Sequence, residues 1–108
     1  MAEVPIRVIL ADDHAVVRAG IRQFLERAGN IEVVAEADDG AQARELILAH
    51  HPDVAILDIQ MPVATGIEVT RWTRANVRET GVLILTAYDD HPYVIAVLQA
   101  GANGYVLK

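Results

Sequence analysis

A chain of 108 residues suits a single domain, and at 53% hydrophobic and 22% charged it falls among folded globular proteins and outside the disordered class. The 15 acids outnumber the 9 bases for a net charge of −6, and the bases are scattered, so these residues offer no positive patch for nucleic acid. The chain has no cysteine, which excludes disulfides and thiolate metal sites.

Short apolar runs alternate with amphipathic ones along the whole length. Ile6–Ala11 is the first predicted strand. It is followed by a helical pattern in which Val17, Ile21, Phe24, Leu25 and Ala28 share one face, with Gly29-Asn30 as a left-handed stop. The second strand, Ile31–Ala37, is interrupted by Glu32 and Glu36, which suits a sheet edge. A helix from about Ala41 to His50 turns Ala43, Leu46 and Ile47 inward and ends before Pro52. Val54–Leu57 is the third strand. The helix after it, from about Ile67 to Val77, has a stripe blurred by Thr70, Trp72 and Thr73. Val82–Thr86 is the fourth strand, and Pro92 opens a helix that buries Val94, Val97 and Leu98 and stops at Gly101. Tyr105–Leu107 is the fifth strand. Strands that are mostly continuously apolar and alternate with helices over short links predict an α/β fold, a doubly wound parallel sheet covered on both faces.

In such sheets ligands bind beyond the carboxyl ends of the strands. Strand one leads into Asp12-Asp13, strand three into Asp58, strand four into Thr86 and strand five into Lys108. Three carboxylates, a hydroxyl and an ammonium therefore gather at one rim. Crowded carboxylates need a cation, hard oxygen donors suit Mg²⁺, and a metal plus a lysine around a nucleophile is the equipment of phosphoryl transfer. The other Asp-Asp pairs read as turn and capping chemistry, because Asp38-Asp39 precedes Gly40 and Asp89-Asp90 precedes a helix. The histidines, His14, His50, His51 and His91, lack metal-ligand spacing, and His14 is expected to face solvent. The chain contains no serine and no Gly-rich nucleotide loop.

The string Val8-Ile9-Leu10-Ala11-Asp12-Asp13-His14 resembles the opening of response regulator receiver domains, especially the subfamily of NarL, FixJ and LuxR regulators. Asp58-Ile59-Gln60-Met61-Pro62 followed by Gly66 resembles their phosphorylation loop. Leu85-Thr86-Ala87 is similar to the segment with the switch threonine, and Gly104–Lys108 to the one with the switch aromatic and the lysine. The likeness covers essentially residues 1–108, with the motifs in the family's order.

The resemblance implies a flavodoxin-like strand order 2-1-3-4-5, which sets Asp12-Asp13 beside Asp58. It further implies that Asp58 accepts a phosphoryl group from the phosphohistidine of a sensor kinase. Asp13, Asp58 and the backbone carbonyl of Gln60 would hold Mg²⁺, with Asp12 reaching it mostly through water. Lys108 would pair with the phosphate, Thr86 would move to hydrogen-bond it, and Tyr105 would turn inward behind. Gln60 and Tyr88, each two residues past a site residue, would gate the attacking water. Lys108 is the only lysine in a chain with eight arginines, and a compact ammonium suits a crowded pocket better than a planar fork.

The implied protein is a two-component signalling switch, a phosphoprotein of the phosphorelay type. It would catalyse only its own phosphorylation and dephosphorylation, dimerise when phosphorylated, and act on transcription through a DNA-binding domain beyond Lys108. A cytoplasmic location is expected, since no stretch reaches the ~20 apolar residues of a membrane span and Met1–Pro5 lacks a secretory pattern. Two other readings compete. One is a receiver that binds partners without phosphorylation, against which every expected site residue is present. The other is an enzyme, either a flavin- or nucleotide-binding protein or an aspartate-nucleophile phosphatase. The phosphatase pattern wants a second Asp where this chain has Gln60. No helix follows the fifth strand here, although the family has one sharing a sheet face with the first helix. Residues such as Val8, Leu10 or Val106 are therefore expected to expose apolar surface, covered either by a longer chain or by self-association.

Overall fold

The computed structural model describes residues 4–86 and 91–107. Within them β1 (Ile6–Ala11), β2 (Ile31–Ala37), β3 (Val54–Asp58), β4 (Gly81–Thr86) and β5 (Gly104–Leu107) form one parallel sheet in the order β2-β1-β3-β4-β5. The connecting helices are α1 (Ala15–Glu26), α2 (Gly40–His50), α3 (Gly66–Asn76) and α4 (His91–Gln99). This is the expected flavodoxin-like arrangement, with every strand in its predicted place and α4 starting one residue before Pro92. Among the described residues no helix is long and apolar enough to cross a membrane.

The pleat divides the core in two. Ile9, Ala11, Leu57 and Ile84 point to one side and pack with Ala43 and Ile47 of α2, Val69 of α3 and Val97 of α4. Val8, Leu10, Ile56 and Leu85 point to the other side, where Ile21 and Leu25 of α1 meet them. Ile9, Leu10, Leu57 and Ile84 are each fully buried. At about 1.5–3 kcal/mol per buried aliphatic side chain, these central strands hold the sheet together.

The blurred stripe of α3 has a simple cause. Thr70 and Thr73 are both fully buried, and each hydroxyl donates 2.7 Å to the carbonyl four residues back, of Gly66 and Val69. With its hydroxyl satisfied inside its own helix, a threonine packs as an apolar residue.

The face of α1 departs from expectation. No residue of this helix is buried. Phe24, expected inward, is 76% exposed, and Val17 is exposed as well. The apolar stripe of α1 looks instead along an open groove of about 640 Å³ between the helix and the β4–β5 side of the sheet, lined in part by Val17, Phe24, Leu83, Val106 and Leu107. Val8 and Leu10, named as exposed candidates, lie buried beneath α1. Val106 and Leu107 are the ones left half open.

A shift in register shapes the β2 edge. Val8 pairs with Val33, but Ile9 pairs with Ala35, so a bulge intervenes between them. Beyond it Leu10 faces Glu36, which turns Glu36 to the α1 side of the sheet. There its carboxylate meets Arg18 at 2.9 Å and also Arg22.

The exposure of Phe24 makes a checkable difference. At dilution where this chain is monomeric, Phe24→Ala should change unfolding free energy by less than about 0.5 kcal/mol, whereas Leu10→Ala should cost about 2–5 kcal/mol, both read from urea titration.

Candidate functional site at the carboxyl rim of the sheet

Asp12 follows β1 and Asp58 ends β3, and these neighbouring strands run parallel in register from Val8/Val54 to Ala11/Leu57. The two carboxylates must therefore emerge side by side. Asp12 is fully buried, Asp58 is 4% exposed, and Asp13 lies at the surface. Ligand atoms from Asp12, Asp13, Asp58 and His14 all fall within 4.8 Å of one another. Like charges at that spacing repel. The arrangement is suited to a hard divalent cation, because three of the four donors are carboxylate oxygens.

The first turn of α1 shapes one wall. The His14 N–H donates 2.8 Å to Oδ1 of Asp12, and the ring Nδ1 lies 3.4 Å from Asp12 and 3.1 Å from Asp13. The ring is largely exposed, as expected, yet it still reaches both carboxylates. A lone histidine after two acids carries no ligand spacing in sequence. What brings it in is the turn that Asp12 closes with its side chain.

The loop after β3 shapes the opposite wall. The Gln60 N–H points to Oδ1 of Asp58 at 3.4 Å, and the Ile59 N–H donates 3.0 Å to the Leu85 carbonyl of β4. The loop then folds back, as the Gly66 N–H donates 3.0 Å to the Ile59 carbonyl. A Cβ on Gly66 would sit 2.4 Å from the Asp58 carbonyl oxygen, so only glycine lets α3 start this close to the acid. Thr65 and Glu68 cap that start reciprocally. Pro62 carries a γ-turn in which the Ala64 N–H donates 2.8 Å to the Pro62 carbonyl, with Val63 at φ 72° between them. The Gly40 N–H, at the start of α2, donates 3.1 Å to the same Pro62 carbonyl.

Among the other residues that the sequence singled out, Thr86 ends β4 at the same rim and is 2% exposed. Tyr105 stands on edge strand β5 opposite Ile84, 40% exposed. Gln60 is exposed beside Asp58. Lys108, Tyr88 and the Asp89-Asp90 pair lie outside the described residues. Asp39 serves the capping role expected of it, its side chain accepting 2.8 Å from the Gln42 N–H, and Asp38 is kept away from the cluster at the β2 edge.

The sequence profile of the response regulator receiver domain matches residues 8–108. The chain belongs to this family. It is 44% identical over 104 residues to the oxygen regulatory protein NreC of Staphylococcus epidermidis, covering 95% of this chain and 48% of that protein. It is 46% identical over 103 residues to the transcriptional regulatory protein NarL of Mycobacterium tuberculosis, again covering 95% and 48%. The receiver domain thus spans about half the length of these curated relatives. Among solved structures, the signal receiver domain of NarL from Mycobacterium tuberculosis superposes with a TM-score of 0.95 at 44% identity, over 97% of this chain and 85% of that one. A LuxR-family two-component response regulator from an Aurantimonas species gives 0.92 at 38% identity, over 96% and 74%. Response regulators are signalling proteins, and the receiver domain as a class is not a metabolic enzyme.

Two substitutions test how the rim is built. Gly66→Ala should destabilise the receiver domain by more than about 2 kcal/mol and shift the amide resonances around Asp58. Val63→Gly should stabilise it by about 1 kcal/mol, because a β-branched residue at positive φ is strained. Equal urea midpoints for wild type and both variants would contradict this account of the loop.

Proposed function

We propose that the chain is a phosphorylation switch whose acceptor is Asp58. The observation that supports this reading best is the gathering of Asp12, Asp13 and Asp58 at one rim, with the Gln60 N–H on the acceptor carboxylate. Asp13, Asp58 and the Gln60 carbonyl would hold Mg²⁺, and Asp12 would contact it mostly through water. When bound, the ion would neutralise charge on the transferring phosphoryl oxygens.

An Asp58 carboxylate oxygen attacks the phosphorus of a kinase phosphohistidine. The new O–P bond forms as the P–N bond breaks, and the electron pair of that bond stays on the ring, which leaves as neutral imidazole because its other nitrogen already carries a proton. Lys108 pairs with the phosphate and Thr86 donates its hydroxyl to it. Hydrolysis later returns Asp58, with Gln60 and Tyr88 controlling entry of the water. The added charge biases Thr86, Tyr105 and α4 toward a second arrangement that presents a different surface. On this reading the protein catalyses only its own phosphorylation and dephosphorylation and works in the cytoplasm with a sensor histidine kinase. It pairs as a homodimer once phosphorylated.

The relatives are about twice as long as this chain, which supports a transcription-regulating DNA-binding domain following Lys108. A helix from that continuation would cover the groove beside α1. By itself the 108-residue chain should self-associate through Phe24, Val106 and Leu107, and light scattering showing a monodisperse 11.7 kDa monomer would overturn this.

Intact mass after treatment with acetyl phosphate and Mg²⁺ tests the acceptor. Wild type gains one phosphoryl group and Asp58→Asn gains none. Asp13→Asn loses Mg²⁺ binding and with it most of the label, while Gln60 variants still label but change the acyl-phosphate half-life. Labelling of Asp58→Asn at the wild-type level would refute the assignment.

A further inference from the structure

The acidic rim has a mechanical problem, because Asp12, Asp13 and Asp58 crowd within 4.8 Å and repel before any cation arrives. The turn from β1 into α1 carries two of these acids, so something must hold it in place. The Asp12 N–H extends the β1–β2 ladder by donating 3.1 Å to the Ala37 carbonyl. The His14 N–H closes the turn on Asp12 Oδ1 at 2.8 Å, and further restraints come from Arg18. Arg18 donates its backbone N–H to the His14 carbonyl at 2.9 Å. Its Nη1 donates 2.6 Å to the Asp12 carbonyl and reaches the Ala37 carbonyl at 3.4 Å. Its Nε donates 2.9 Å to Oε1 of Glu36. Arg18 thus grips the acid-bearing turn at both ends and ties it to the end of β2.

Glu36 aims the fork. It stands on the α1 side of the sheet only because of the β1–β2 bulge, and it is shared with Arg22, whose guanidinium also pairs with Glu26 at 3.2 Å. Arg22 touches Glu36 and Glu26 but not the turn. It is therefore a natural control for charge without grip.

We propose that Arg18 is a positioning residue for the cation site: its planar fork holds the Asp12 carbonyl and so faces Asp12 and Asp13 toward Asp58 in advance of the metal. This rests on the reading of the rim as a Mg²⁺ site. The sign of the effect separates the idea from its rival. A guanidinium beside a cation site opposes the cation by Coulomb repulsion, so if charge alone mattered, removing Arg18 would tighten Mg²⁺ binding. If Arg18 positions the acids, removing it weakens binding. Lysine keeps the charge but cannot serve a carbonyl and a carboxylate with one rigid fork.

The experiment is a Mg²⁺ titration followed by amide chemical shifts on wild type, Arg18→Ala, Arg18→Lys and Arg22→Ala. Hydrogen exchange at the Asp13 and His14 amides is measured alongside without metal. Arg18→Ala should raise the dissociation constant by about tenfold or more, the usual loss when an outer-shell partner goes. Arg18→Lys should recover only part of it, and Arg22→Ala should bind as wild type or slightly tighter. Metal-free exchange at Asp13 and His14 should be faster in both Arg18 variants. Unchanged or tighter binding in Arg18→Ala, or full recovery by Arg18→Lys, overturns the proposal. If wild type itself shows no saturable rim shifts, the Mg²⁺ reading fails, and the exchange comparison alone decides: rates equal to wild type in both Arg18 variants refute the grip. Should Arg18→Ala fail to fold, Arg18→Lys carries the same two tests.

Discussion

Repulsion between carboxylates is the constraint around which this small domain is arranged. Parallel pairing of β1 with β3 forces Asp12 and Asp58 to the same rim. The fold answers with restraint from both flanks. The turn into α1 is fixed through Asp12, His14 and Arg18, while the loop after β3 is fixed through Leu85, Gly66 and the Pro62 carbonyl. Preorganised acids of this kind bind a cation without first being collected, so less of the binding free energy is spent on ordering.

The restraints are unequal in kind. On the α2–α3 flank they are mostly backbone hydrogen bonds and close approaches that only glycine permits, at Gly40 and Gly66. Such contacts leave little room for adjustment. On the α1 flank they are side-chain bonds from a helix that buries none of its own residues. Motion, where it occurs, should concentrate on the flank held by fewer buried contacts. The rim is therefore anchored at the Asp58 side and adjustable at the Asp12-Asp13 side.

Most of the architecture was legible in the chain because local patterns agreed with the global fold. The β1, β3 and β4 runs are mostly apolar since these strands lie in the interior of the sheet, and the interruption by Glu32 and Glu36 correctly marked an edge. The gathering of Asp12, Asp13 and Asp58 was legible for the same reason: strand ends are easy to place, and these acids sit at them. What escaped is non-local. Thr70 and Thr73 look polar until their hydroxyls are seen bonded to their own helix. The bulge that turns Glu36 toward Arg18 depends on the pairing of two strands and leaves no mark on either one. His14 joins the acids through a turn geometry that residue spacing does not encode.

Phe24 shows the limit most plainly. A helical stripe says which side chains share a face, and the stripe of α1 is real: Ile21 and Leu25 do pack on the sheet. It does not say how wide the opposing surface is. The large core takes α2, α3 and α4 over one face, while among the described residues α1 alone serves the other. One helix, ~10–12 Å across with its side chains, cannot cover a five-stranded sheet whose strands are spaced ~4.8 Å apart. It settles over β1 and its neighbours, so the surface left over falls toward β4 and β5, where Leu83, Val106 and Leu107 meet the unmatched side of the α1 stripe. Width matching between helices and strands, more than any residue's hydrophobicity, decides which members of an amphipathic face end up buried.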